Sequence, residues 1–326
     1  MANKQRFRNI VTNDMLVQND LVLEPQANFL MGGVQMVVPN KGIGKTFYVD
    51  PRSGSDDYPG TSPSSAKLTS QAAIDLCVDR RMDTIIRLNG TEVLTTPILF
   101  NKQGIMYICE DSGWNNWNKG ERFAAYGPND DYAAVISEPC LIQGLGFTTA
   151  GFIGAGSAIV YVDSTGFDGW TGSFFSILGC RFMGWGFAPQ YALKLNGGVS
   201  GLIAGNHFDG TFYGFTEAGI LLDQYDVDII GNKFTGMGDG NYAIEVKAGT
   251  TPLDVIIASN YLVGASADGA GRKGIGAFLN TNAILAWGCL IADNHIPLSD
   301  DTAFSVNHAD MITANYHLTG NHYIES

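Results

Sequence analysis

Basic residues are scarce in this chain. Nineteen Lys and Arg stand against 32 Asp and Glu in 326 residues, for a formal net charge of −13. The deficit deepens along the chain: residues 1–138 hold 13 basic and 16 acidic groups, and residues 139–326 hold 6 and 16. Such a surface suits neither nucleic acid nor another polyanion, so no nucleic-acid partner is expected. Cysteine is also sparse, five residues with no CxxC and no metal-ligand spacing; no metal, no cofactor and no disulfide framework is expected. Free, mostly buried thiols fit folding in a reducing cytoplasm. No run of 18 apolar residues occurs, so no membrane span and no membrane partner are expected. The basic opening, with Lys4, Arg6 and Arg8, leads into no apolar stretch of the secretory kind, so synthesis without a signal peptide is the reading.

What the chain has in plenty is glycine, 41 residues, and repetition. One phrase recurs seven times: Ile142 to Phe147, Ile177 to Phe182, Ile203 to Phe208, Ile229 to Phe234, Ile257 to Leu262, Ile291 to Ile296 and Leu318 to Tyr323. Each runs apolar residue, two residues, a central position, one residue, apolar or aromatic residue. The centres lie 35, 26, 26, 28, 34 and 27 residues apart, and a period in the twenties marks a solenoid. Five centres are Asn: Asn206, Asn232, Asn260, Asn294 and Asn321. Asn tolerates left-handed backbone and bonds to nearby backbone, so each centre reads as a bend between two strands. Stacked coil on coil, these side chains can form a ladder.

A second apolar strand precedes each later phrase, at Ala192 to Leu195, Gly219 to Leu222, Ala243 to Val246, Gly274 to Ala277 and Ala303 to Val306. Their period of two is that of half-buried strands. One coil is therefore three short strands and three turns, an all-β parallel β-helix. Two outward columns follow from the alignment: Lys194, Leu221, Glu245 and Ser305, then Asn196, Asp223, Lys247 and Asn307. Each holds one acid, with Asp223 facing Lys247 as a surface ion pair.

The N-terminal third differs. Residues 1–45 alternate apolar pairs with turn formers and read as an extended arm. From Thr46 a strand runs into a Gly/Ser/Asp/Pro loop ending at Pro63; a helix follows at about 69–78, with Thr69 as cap. Together with the strands from Thr84 and Gly104 and the repeats, this segment resembles right-handed parallel β-helix proteins of the pectate-lyase-like type, over roughly Thr46 to Tyr323. That group includes polysaccharide lyases, glycosidases and phage tailspikes. The resemblance implies a right-handed solenoid over 46–326 whose helix caps the first coil.

The enzyme signatures that the resemblance would bring are missing. No basic residue after position 139 stands in an RxxR-like motif beside acids, and Asp300-Asp301 lacks the other members of a polygalacturonase set. If the chain is an enzyme, the acids to consider are Asp223, Asp226, Asp228 and Glu245, since paired carboxylates at coil spacing suit glycoside hydrolysis; the plainer reading is a solvated face. His207, His295, His308, His317 and His322 read as solvated turn residues. Trp185, Phe187, Phe212, Tyr213 and Phe215 read as one aromatic patch, serving as a subunit interface or a sugar platform.

The expectation drawn from all this is a structural phage virion protein, a trimeric spike or capsid-decoration component. Residues 1–45 would dock onto other virion proteins, copies would form a homotrimer, and a cell-surface glycan is a further partner. The alternatives are a β-helix glycan depolymerase, hydrolase or lyase, and a non-catalytic glycan-binding module.

Overall fold

The computed structural model describes residues 44–88, 90–109, 122–125, 132–150, 158–163, 174–185, 189–197, 200–210, 215–223, 226–236, 242–247, 254–263, 277–281, 290–298, 317–319 and 322–325, with two further strands at Asn28–Met31 and Val34–Val37. The chain divides into two units, Met1–Gly42 and Ile43–Ser326. In the first, the two strands pair antiparallel. The second is a parallel β-helix.

Three sheets run the length of the solenoid, of ten, nine and seven strands among the described residues. The first holds the strands that enter each bend, such as Gly201–Ala204 and Val227–Ile230; the second holds those that leave it, such as His207–Asp209 and Lys233–Thr235. The third holds Ala158–Asp163, Tyr191–Asn196, Ala218–Asp223 and Tyr242–Val246. Every strand pairs in parallel with its equivalent one coil away. The strand placed at Gly274 to Ala277 from the sequence instead begins at Ala277 and ends at Thr281, with Ala277 beside Tyr242. The insertion before it had hidden the register. The strand expected at Ala303 to Val306, with Ser305 and Asn307, lies outside the described residues, as does Asn321.

Parallel stacking forces like onto like. Phe147, Phe182, Phe208 and Phe234 stack inside with ring centroids 5.4, 5.0 and 4.7 Å apart and planes within 10°. Ile142, Ile177, Ile203, Ile229, Ile257 and Ile291 form a second buried column. Each such side chain contributes on the order of 1.5–3 kcal/mol by leaving water.

The bend is made by two residues with separate tasks. The left-handed residue is the one before the centre: Gly144, Gly179, Gly205 and Gly231 have φ of 75°, 58°, 64° and 63°, and Ser259 and Asp293 have 55° and 54°. A Cβ at Gly179 or Gly231 would meet nothing within 4 Å, so backbone conformation, and not crowding, favours glycine there. The Asn itself turns inward, a correction to its expected role as the left-handed residue. Asn206, Asn232, Asn260 and Asn294 are all buried. The Asn232 Oδ1 accepts from the backbone N–H and the Nδ2 of Asn206, at 2.9 and 3.0 Å. Its Nδ2 donates to the Ile203 carbonyl at 2.8 Å and to the Asn260 Oδ1 at 3.0 Å. Asn260 and Asn294 repeat the pattern, and the Cys180 N–H starts the ladder by donating to Asn206 Oδ1.

At the N-terminal end the helix Ser70–Leu76 packs on the first coil, its start capped by Thr69 Oγ1, which accepts from Ala72 N–H. Beneath it lies a charged cluster inside the barrel. Arg87, fully buried, donates from Nη1 to Glu92 Oε2 at 2.6 Å. Glu92 also accepts from the backbone N–H and hydroxyl of Ser70, and Ser70 Oγ lies 2.7 Å from the Tyr107 hydroxyl. The pair thus ties the helix start to the core. The four described cysteines, Cys77, Cys109, Cys140 and Cys180, are free and buried, and burial drives the Cys77 and Cys180 thiols up to about 12. They are inert.

Two expectations follow. Asn232→Ala leaves two buried backbone groups unmet, the Asn206 N–H and the Ile203 carbonyl, each costing about 1–3 kcal/mol, so its thermal midpoint falls well below that of Ser259→Gly, which relaxes a left-handed side chain; equal midpoints would refute the ladder's role. Arg87→Met alone costs roughly 3–5 kcal/mol, because it strands Glu92, while Arg87→Met with Glu92→Leu costs less. Urea unfolding of the three proteins decides it.

Candidate functional site

The four acids named from the sequence do not all share one face. Asp223 and Glu245 lie on the outer face of the third sheet. Asp226 is exposed at the corner between the third and first sheets, in a left-handed conformation with φ 54°, and accepts from the Ser200 hydroxyl. Asp228 faces outward from the first sheet, its carboxyl raised by burial and then by Asp226. The corner turns the chain between positions 223 and 227, so closeness in sequence separates these groups in space.

On the third sheet the register sets two outward columns. Tyr161, Lys194, Leu221 and Glu245 occupy one, and Asp163, Asn196 and Asp223 the other, which Lys247 continues. The second column therefore holds two acids, not one; Asp163 was missed. Its signal was the pattern of Ala158 to Asp163, which ends like Gly219 to Asp223, but it lies within an irregular coil of 35 residues.

These columns interlock. Lys247 Nζ pairs with the Asp223 carboxylate. Asn196 Nδ2 donates to the Tyr161 hydroxyl at 2.9 Å. The Tyr161 ring stacks on Tyr132 with centroids 4.7 Å apart and planes at 16°, and Lys194 Nζ lies 5.8 Å from its centroid. Burial first, then the charge of Asp163, raises the Tyr161 phenol. Glu245 sits one coil from Leu221, which puts its backbone position diagonal to that of Asp223 at about 7–8 Å. Burial and then Glu217 raise the Glu245 carboxyl, although the Tyr191 hydroxyl donates to it. Its Oε2 is buried without a hydrogen-bond partner. Burial, with Glu245 and Glu217 beside it, raises the Tyr191 phenol as well. The face thus combines a carboxyl raised above its ordinary range, an ion-paired carboxylate and a stacked tyrosine pair.

A second cluster sits on the outer face of the second sheet. Arg181 pairs with Asp209, only 1% exposed. His207 Nε2 lies 2.9 Å from Thr235 Oγ1, which donates to Asp209 Oδ1 at 3.3 Å. His207 is therefore a half-buried strand residue and not a solvated turn residue. Burial, reinforced by Arg181 and Lys233 against Asp209, lowers its imidazole to about 4. Histidines 295, 317 and 322 also begin strands, and His308 lies outside the described residues. Of the expected aromatic patch, Phe215 is 1% exposed and belongs to the core; Trp185 ends the strand Arg181–Trp185, and Phe187, Phe212 and Tyr213 lie outside the described residues. Among the described residues no three His, Cys, Asp or Glu are placed to hold a metal ion, and no helix is long and apolar enough to cross a membrane.

No protein-family model matches the chain, and no curated protein matches its sequence. Solved structures match its backbone. Pectin methylesterase PemA from Erwinia chrysanthemi aligns with 86% of this chain and 90% of its own, at TM-score 0.54 and 11% identity. Carrot pectin methylesterase aligns over 87% and 84%, at 0.53 and 10%, and pectate lyase Pel9A over 78% and 64%, at 0.51 and 14%. The common property is the right-handed parallel β-helix. At such identities the likeness is one of fold, and the β-helix hosts its activities in sites laid over the scaffold. The virion affinity expected from the sequence draws no support from these structures.

The His207 environment makes a testable statement. Its imidazole titrates near 4 folded and near 6.5 in an unfolded chain, so stability carried by the neutral ring is complete above about pH 6.5 and is lost as pH falls toward 4. Allowing for partial exposure, the loss is on the order of 2 kcal/mol. Urea unfolding at pH 7 and pH 4.5 should show a smaller acid loss for His207→Gln than for the wild type. The same loss in both would refute it.

Proposed function

We propose that this β-helix processes glycans through the outer face of its third sheet, by acid–base hydrolysis of a glycosidic bond. The observation that carries the reading is the diagonal pair Glu245 and Asp223, on the same face as the stacked Tyr132 and Tyr161, with Tyr161 three coils or about 14 Å from Glu245. Two carboxyl groups about 6.5–9.5 Å apart suit an inverting hydrolase, with room for a water between acid and base. Glu245, raised by its surroundings, is the group that keeps a proton to give to the leaving oxygen. Asp223, paired with Lys247, is the carboxylate that takes a proton from the attacking water. Environments that differ in this way are how one site holds both roles. The tyrosine pair offers a flat face against which a sugar ring can rest. The similar structures, pectin methylesterases and a pectate lyase, lend the reading its general character.

Release of reducing ends from a panel of polysaccharides is the test. Glu245→Gln and Asp223→Asn should each lower cleavage by about 10²–10⁴-fold while binding persists, and Tyr161→Ala should weaken binding. Undiminished cleavage in both carboxylate variants would dismiss the acid–base assignment. Wild-type binding without cleavage would make the chain a glycan-binding module, and neither binding nor cleavage would favour the structural virion role.

A further inference from the structure

The outer face of the first sheet is apolar where a solvated face should be polar. Outward positions alternate with the buried isoleucine column, and register places Leu141, Leu202, Ile256 and Leu290 in one outward column with Leu178 and Ile230 in the next. All six are half-buried in the single copy. Ser176 and Asp228 interrupt the first column, and Gln143 the second. An apolar strip of this extent marks an interaction surface.

We propose that this face packs against the same face of a second copy, with the two solenoid axes parallel. Three observations select that occupant. The first is pitch. Side chains stand in rows one strand spacing apart, about 4.8 Å, and only a surface with the same pitch keeps such rows interlocked over many coils. A second copy has it by construction.

The second is charge. The face is bounded on the bend side by the register column Arg181, His207 and Lys233, in which Arg181 is already paired with Asp209 and Lys233 is the cation the rim offers, and on the corner side by Asp226 and Asp254. Lys233 forms no ion pair with any described acid. A twofold axis between the faces and parallel to the solenoid axis reverses the strands, which lays the acidic rim of one copy over the basic rim of the other. A twofold axis parallel to the strands would set like rim on like rim, so the charges choose the first arrangement. Lys233 and Asp226 flank the same strand, Val227–Ile230, and so meet at equal height with no axial shift.

The third is size. The eight strands from Thr84–Arg87 to Leu290–Ala292 span about 34 Å at the strand spacing, and with both rims the face is about 20 Å wide, giving roughly 700 Å² per copy. A standard interface needs about 800 Å² per partner.

Light scattering and sedimentation of the full chain at tens of micromolar test the proposal. The wild type should be a dimer. Leu202→Lys with Ile256→Lys should make it monomeric while far-UV circular dichroism and the thermal midpoint stay near wild type, since both residues face outward. Lys233→Glu and Asp226→Lys should each weaken the dimer by tenfold or more, and the double exchange should restore it, which a merely apolar contact would not do. A wild-type monomer, a trimer, or a dimer that survives the two lysine substitutions would overturn the proposal. Exchange variants that fail to rescue each other would overturn the parallel-axis arrangement.

Discussion

Parallel strands stacked in register, coil upon coil, are the constraint on which the rest of this molecule depends. Each strand must leave its bend at the same place as the strand below, or every inward side chain would turn outward. The bend achieves this with a left-handed residue, from Gly144 to Asp293, followed by a buried one, Leu145 and Cys180 in the first two bends and an inward Asn from Asn206 to Asn294. The left-handed residue turns the chain. The Asn holds the turn at the pitch of the coils below and above, through hydrogen bonds that reach both neighbours. The phenylalanine stack beside it follows from the same registration, and not from any preference of one ring for another.

The solenoid has two ways of handling charge. Inside, Arg87 and Glu92 are tolerated because each finds partners, and because they join the helix Ser70–Leu76 to the first coil. Outside, stacking multiplies whatever a column contains. Lys194 and Lys247 on the third sheet, and Arg181 and Lys233 on the second, account for four of the six basic residues after position 139. A chain that is acidic overall therefore carries its cations in defined stripes. The three outer faces consequently differ: polar with tyrosines and acids on the third, a half-buried ion pair with His207 on the second, and apolar on the first. The proposed glycan site and the proposed self-contact use different faces and do not compete.

Much of the fold was legible in the sequence because a solenoid writes its contacts locally. The spacing of the seven phrases places strands, bends and coil pitch without knowledge of distant residues. The cap helix at Ser70–Leu76 was legible from Thr69 and the apolar positions after it. The outward columns holding Glu245 and Asp223 came from alignment alone. Where insertions enter, alignment fails: the strand at Ala277–Thr281 was misplaced and Asp163 was missed, since a loop of unknown length erases the register on its far side.

The sequence by itself determined the period, the alternation of inward and outward positions and the small residue before each bend, because these express short-range backbone geometry. Only the tertiary structure decided which side chains meet. It turned Asn232 inward, buried Phe215, carried Asp226 and Asp228 around a corner from Asp223, and set His207 against Thr235. Those outcomes depend on the direction in which each face looks once the coil has closed. That direction is the sum of three turns, and no one segment of the chain encodes it.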